Sequence, residues 1–309
     1  MILSVSRRTD IPAFYSDWFY NRVKAGFVYV RNPFFPQQVS RIGIDPERVD
    51  CIVFWTKNPG PMLPRLDELK EYPYYFHVTI NPYDHRLEAA VPRKNKVIDN
   101  FKRLSDRIGP HRVIWRYDPV FRTDGMDMEY LVDSFEAIAQ RLSGYTERVM
   151  TGFLTRYKKT GRNMQGTAFQ ELTPEEKLEF ARRIAAISTR YGIDPQACSV
   201  KADLSGCGVK AGYCIEKELV ERLSGYPISA RKDRNQREVC RCIESIDIGE
   251  YDTCPHGCLY CYANQNQRNV AEKWKRHDPG SPLLIGYPQA NDIVTDRKPG
   301  SHRSAELFR

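Results

Sequence analysis

Short apolar runs alternate with helical stretches along the first two-thirds of the chain, and that alternation restricts the fold more than any other feature. Ile2–Val5 (ILSV) leads into a helical stretch over 16–25, Cys51–Trp55 (CIVFW) into 61–71, Tyr74–Ile80 into 94–107, and Arg112–Tyr117 into 126–142. Val149–Leu154 is the fifth run, and Thr173-Pro174-Glu175-Glu176 after it opens a helix reaching about Tyr191. There Thr173 is the N-cap, proline takes the first turn and Glu176 closes a capping box. Within 126–142, Met128, Leu131, Phe135, Ile138 and Leu142 recur at helical spacing. Strands joined by helices pair in parallel, are covered on both faces or closed into a barrel, and cross over right-handedly. The expected class is α/β. A sixth unit of the same kind comes late: Ile246–Gly249, a polar loop, then a helical stretch over 263–276.

Polar residues gather just past each apolar run. They are Ser6-Arg7-Arg8-Thr9-Asp10, Thr56-Lys57-Asn58-Pro59, Thr79-Ile80-Asn81-Pro82-Tyr83-Asp84, Arg116-Tyr117-Asp118-Pro119 and Thr155-Arg156. In a β/α barrel the carboxyl ends of all strands meet at one mouth, where active sites sit. Each cluster alone is weak, since Asp10 or Asn58 also reads as a helix cap. Lys57 either reaches a carboxylate or lies on the surface, and Arg116 and Asp118 read as an ion pair. Taken together the five ends predict a functional mouth.

At 309 residues the chain suits one large domain, two ordinary ones, or a barrel with an annex. The formal net charge of +8 suits nucleic acid or an anionic cofactor, but it is spread along the chain, as on an ordinary solvated surface. Trp18-Phe19-Tyr20, set among basic residues, is compatible with nucleic acid. No apolar run is long enough for a membrane span, and MILSVSRRTD lacks the order of a signal peptide, so a cytoplasmic protein without a membrane partner is expected. The Pro-, Gly- and Ser-rich stretch 279–309 reads as a wrapping or partly disordered extension.

Eight of the nine cysteines fall between Cys198 and Cys261, with Cys51 apart. Crowding at one end, without a secretion signal, points to metal rather than disulfides. Cys254-Pro-His-Gly-Cys258-Leu-Tyr-Cys261 is a C-x3-C-x2-C cluster on a loop that Gly257 helps to turn. Three such thiolates can hold three irons of a 4Fe-4S cluster and leave the fourth iron open. Zinc held with His256 or a distant cysteine is the competing reading, although common zinc modules use two paired knuckles. Upstream, Cys240-Arg241-Cys242 is a tight pair that Cys198 and Cys214 can complete to four ligands of an auxiliary 4Fe-4S cluster, with Cys207 as a substitute. Zinc and free buried thiols compete at this second site.

The cluster Cys254, Cys258, Tyr260, Cys261 resembles the C-x3-C-x-aromatic-C motif of the radical SAM superfamily, and SIDIGEYDTCPHGCLYCYAN resembles an uncharacterised family near its spore photoproduct lyase branch. That resemblance implies a partial (β/α)6 TIM-like radical SAM barrel with a cysteine-rich annex. The superfamily carries its cluster on the first strand-loop, so a late cluster implies a permuted strand order, with the last strand beside the first; a separate cluster domain on an unrelated barrel is the alternative. The expected divisions are 1–195 for barrel strands and helices, 196–243 for the annex, 244–278 for the cluster-binding unit and 279–309 for the extension. The implied activity is reductive cleavage of S-adenosylmethionine to a 5′-deoxyadenosyl radical, fed by a low-potential donor such as flavodoxin or ferredoxin, in a monomer. The implied S-adenosylmethionine contacts are Tyr260 near the adenine, with Arg8, Asp10, Thr56, Lys57, Thr79, Asn81, Arg116 and Asp118 on the strand ends. The substrate is unknown, with nucleic acid one possibility, because one scaffold hosts many reactions. Two other classes stay open: a non-enzymatic zinc protein contacting nucleic acid through its basic surface, and an enzyme using the mouth for other chemistry beside purely structural clusters.

Overall fold

The computed structural model describes residues 1–155, 157–297 and 300–304, with only the backbone of Lys158. Arg156 of the fifth polar strand end, and 298–299 and 305–309 of the extension, lie outside the described residues.

The apolar runs become strands of one parallel sheet. In chain order the elements are β1 (Ile2–Val5), α1 (Ile11–Phe14), α2 (Ser16–Ala25), β2 (Phe27–Arg31), β3 (Gln38–Gly43), β4 (Cys51–Thr56) and β5 (Tyr74–Thr79). Next come α3 (Lys94–Ile108), β6 (Val113–Val120), α4 (Met128–Leu142), β7 (Arg148–Phe153), α5 (Lys158–Asn163) and α6 (Pro174–Arg190). The chain continues with β8 (Asp194–Cys198), β9 (Lys210–Gly212), α7 (Lys217–Ser224), β10 (Ile246–Asp247), α8 (Gln267–Trp274) and β11 (Ile293–Arg297). The main sheet has eight strands in the order β10-β1-β4-β5-β6-β7-β8-β9, and each neighbouring pair is parallel. A smaller sheet, β11-β3-β2, joins part of the C-terminal extension to the ribbon between α2 and β4.

Two expectations change. Six strands were expected in the main sheet; β8 and β9 extend it, and their sequences DPQAC and KAG carry little of the β-branched and aromatic signal that marks a strand. The stretch expected as a helix over 61–71 is a 3-10 helix over Gly60–Leu69. Pro64 lies inside it and has no N–H to give an α-helical hydrogen bond. The capping box forms as expected: Glu176 N–H donates to Thr173 Oγ1 at 3.2 Å and Thr173 N–H to Glu176 Oε2 at 2.8 Å.

Period-2 alternation gives each strand two working faces. Leu3, Ile52, Phe54, Phe76, Val78, Trp115 and Val149 point to one face, where they pack with Phe19 of α2, Phe101 of α3, Phe135 of α4 and Phe180 of α6. Ile2, Cys51, Val53, Tyr75, Ile114 and Met150 point to the other, which is covered by Leu219 and Val220 of α7 and by Ile215, Ile228, Cys240, Cys242 and Ile243. The cysteine-rich segment is therefore the lid on the second face of the sheet rather than a body beside it.

β10 joins this sheet through only two residue pairs, Leu3 with Ile246 and Ser4 with Asp247. The Asp247 carboxylate reinforces them by accepting from Ser4 Oγ and Ser6 Oγ, each at 2.7 Å, from Arg7 N–H at 2.8 Å and from Gly249 N–H at 2.9 Å. Gly249 lies so close to β1 that an added Cβ would sit 2.0 Å from Ser6 Oγ and 2.6 Å from Ser6 Cβ. Gly249→Ala should therefore destabilise the fold by about 1–3 kcal/mol through overpacking. Thermal denaturation checks this, and a variant melting with the wild type would show that the β1–β10 junction is slack.

Candidate functional site

The loop 253–264 is held from several sides. Tyr15 Oη donates to Thr253 O at 2.5 Å, Asn264 Nδ2 to Cys254 O at 2.8 Å, Ala90 N–H to His256 O at 2.9 Å and Leu259 N–H to Leu87 O at 3.0 Å. Gly257 takes φ +70°, a conformation that favours glycine. Cys254, Cys258 and Cys261 are half-buried and unbonded to one another. Burial pushes the Cys258 thiol up to about 12 against the pull of Lys57, and burial raises Cys254 and Cys261 as well. Such thiols become thiolates only when a cation joins them. Ala263 N–H already donates to Cys261 Sγ at 3.3 Å. Thr9 Oγ1, His256 Nδ1 and Asn264 Oδ1 are buried without hydrogen-bond partners on this loop and the β1 end facing it. By donor chemistry the three cysteines fit an iron–sulfur group. Among the described residues, no three or more His, Cys, Asp or Glu side chains are grouped as ligands of a single metal ion.

Beside the loop lies a buried charge network centred on Glu88, a residue that no sequence motif singles out. Glu88 Oε1 accepts from Lys57 Nζ at 2.7 Å and from the Tyr260 hydroxyl, while Oε2 accepts from Lys94 Nζ. Lys57 Nζ also donates to Tyr260 Oη at 2.9 Å. Lys57 is thus turned inward, away from the surface. Burial pushes the Glu88 carboxyl up, but Lys57 and Lys94 together overcome it and hold it at about 2. Asn81 extends the network, donating through Nδ2 to Tyr260 Oη at 3.1 Å and to Asp118 O at 3.0 Å, and accepting from Asp118 N–H at 3.0 Å. Tyr83 and Phe121 bracket the Tyr260 ring at centroid distances of 5.6 and 5.5 Å. Asp10 caps α1 through Ala13 N–H, as its position suggested, and its Oδ2 also accepts from Lys57 N–H and pairs with His256 Nε2, both at 2.7 Å.

The remaining strand-end residues have these surroundings. Thr56 is buried with Oγ1 accepting from Asn58 N–H at 2.8 Å, a local turn bond. Thr79 is half-buried at the end of β5, in register with Arg116. The Arg8 guanidinium lies 5.1 Å from the Tyr251 ring centroid and reaches Gly249 O at 3.4 Å, so it braces the segment that leads into the cysteine loop. Arg116 belongs to the second cysteine group: its Nη1 is 2.9 Å from Cys214 Sγ while Nη2 pairs with Asp118. Trp18, Phe19 and Tyr20 are buried in the core and offer no face to a nucleic acid.

The four cysteines of the second group pack in one cluster on the second face of the sheet. Cys198 Sγ and Cys214 Sγ are 3.2 Å apart, and the Cys242 thiol reaches both Cys214 and Cys240. Ile215 N–H donates to Cys242 Sγ at 3.4 Å. Cys207, the substitute ligand, packs instead against the helical face of the sheet. A cavity of about 290 Å³ opens at the opposite, amino end of β1 and β10, between Met1, Ser245, Arg297 and His302. No cysteine and none of the polar strand ends line it.

The Glu88 network carries a signed pH dependence. Its folded value of about 2 lies below the ordinary 4.5, so its contribution is complete above pH 4.5 and is lost as pH falls through about 2. Glu88→Gln leaves two buried ammonium groups without a counter-charge and should cost about 3–5 kcal/mol at neutral pH. Urea denaturation at several pH values should show the gap to wild type narrowing towards pH 3. A gap of constant size would mean that Glu88 is not held ionised by the lysines.

Among the described residues no helix is long and apolar enough to cross a membrane. No curated protein and no solved structure matches this chain. One family model, described as a domain of unknown function (DUF1848), matches residues 2–263. Its match takes in β1, the Glu88 network and all the cysteines, and the chain belongs to the DUF1848 family.

Proposed function

We propose that this chain is a radical SAM enzyme that holds a 4Fe-4S cluster through Cys254, Cys258 and Cys261 and binds S-adenosylmethionine where β1, β4, β5 and β6 end. The observation that carries the reading is the seat of the three-thiol loop: Cys258 and Tyr260 lie against Lys57 and Asn81, which follow the ends of β4 and β5, and against Glu88 of the loop after β5. When bound, the cluster supplies the electron that breaks a carbon–sulfur bond of S-adenosylmethionine. The protein's part follows from its own groups. Lys57 and Lys94, which flank the Glu88 carboxylate, place positive charge near Cys258 and so favour a thiolate there and a carboxylate nearby. Tyr260, fixed by three polar partners and two rings, offers a rigid apolar wall for a purine. The pairing of β10 with β1 supports a barrel whose cluster unit comes last in the chain but first in space. A low-potential donor such as flavodoxin or ferredoxin would feed the site; its substrate class stays open.

One observation favours the zinc reading. His256 gives Nε2 to Asp10 and keeps a buried, unpartnered Nδ1, as a histidine oriented by a carboxylate does at a metal. It ranks second because among the described residues His256 and the thiols are not grouped around one ion.

Anaerobically purified protein should be brown, contain iron and sulfide, and on reduction convert S-adenosylmethionine to 5′-deoxyadenosine, with Cys258→Ala falling to background. Colourless protein with one zinc per chain, or a Cys258→Ala variant that still cleaves S-adenosylmethionine, would refute the proposal.

A further inference from the structure

We infer that Cys198, Cys214, Cys240 and Cys242 hold a second iron–sulfur cluster on the covered face of the sheet. The inference stands apart from the radical SAM reading, because no residue of the Cys254–Cys261 loop takes part.

Four thiols from three distant segments meet here: Cys198 at the end of β8, Cys214 after β9, and Cys240 and Cys242 in the turn before β10. None is in a disulfide. The thiols pack within the apolar cluster of the second face, yet cationic and polar groups are also turned toward them. Arg116, almost fully buried, aims Nη1 at Cys214 Sγ at 2.9 Å. The Arg7 guanidinium, 4.9 Å from the Trp55 ring centroid, faces Cys242 and Cys214. The carboxylates paired with these guanidiniums are Asp118, and Asp233 at 3.9 Å from Arg7. A cluster bound by four thiolates is a net anion, and a buried anion needs such cations.

Polar groups are also left over at this place. Arg7 Nη2 and His77 Nδ1 are buried without hydrogen-bond partners, although His77 is fixed through Nε2 to Cys214 O at 2.8 Å. Two N–H groups already point at sulfur, from Arg116 to Cys214 and from Ile215 to Cys242. Hydrogen bonds to cluster sulfurs are one of the means by which proteins set cluster potentials. Zinc fits less well: among the described residues no three or more Cys, His, Asp or Glu side chains are grouped around a single ion.

The test uses the full chain, reconstituted anaerobically with iron and sulfide. In a Cys254→Ala/Cys258→Ala/Cys261→Ala variant, about four irons and matching sulfide should remain per chain, with cluster absorbance. The complementary Cys214→Ser/Cys242→Ser variant should lose about four irons relative to wild type, which decides the matter should the first variant not fold. If the loop of the first site holds no cluster, wild type and the triple-alanine variant will contain the same iron, and the second site still stands. Iron unchanged by Cys214→Ser/Cys242→Ser, one zinc in place of iron, or a Cys198–Cys214 disulfide in the anaerobic protein would each overturn the inference.

Discussion

The whole arrangement hangs on the junction of β10 with β1. Two residues of β10 make the ladder, and such a short strand contributes little by itself. The Asp247 carboxylate supplies what the ladder lacks. It collects four donors, three of them from β1 and the turn after it, and so ties residues 240 to 243 positions apart. A carboxylate satisfied by several charge-assisted bonds in a half-buried place is a strong and directional tie. Its direction matters here: it aims the chain past Gly249 towards the cysteine loop, while the same turn sends Asp10 to His256. Loop and strand ends are therefore positioned by one interaction.

Charge then organises what the junction has brought together. Burying thiols beside carboxylates favours the protonated form, and the chain counters this with cations at both cysteine groups: Lys57 and Lys94 at one, Arg7 and Arg116 at the other. The two groups are not isolated. From Cys214 the contacts run through Arg116 to Asp118, from the Asp118 backbone to Asn81, and from Asn81 to Tyr260 and Glu88. Apart from the covalent step within Asp118, each link is a hydrogen bond between groups that also hold other partners, so the path is one strand of a wider polar network.

The alternation of apolar runs and helices was legible because it depends on local pattern. β1, β4, β5, β6 and β7 and helices α2, α3, α4 and α6 follow from it, as does the capping box of α6. β8 and β9 were hidden because their place is set by what covers them: Gln196 and Gly212 are strand residues by virtue of Met150 next to them and the cysteine-rich lid above. The cysteine pattern and the polar strand ends named Lys57, Asn81, Tyr260 and Asp10 correctly as neighbours of one loop. Glu88 and Lys94 escaped because their meeting is purely tertiary; EAA and RKNK carry no spacing rule that pairs them. The Arg116–Asp118 pair was read from the strand end and forms, but the contact of Arg116 with Cys214 was not legible, since a strand end does not show which distant segment folds over it.

Position along the sheet is what separates the two cysteine groups. The Cys254–Cys261 loop sits over β1, β4 and β5, whose ends supply Asp10, Lys57 and Asn81. The other group sits over β5, β6 and β8, whose second-face residues are His77, Arg116 and Cys198. β5 and β6 serve both, one through Asn81 and His77, the other through Asp118 and Arg116. A parallel sheet presents equivalent ends side by side, so neighbouring strands can build two sites without sharing a ligand. Here the cost is paid in charge: Lys57 and Lys94 stand at one group and Arg7 and Arg116 at the other, and each is stable only while it keeps its opposite charge within reach.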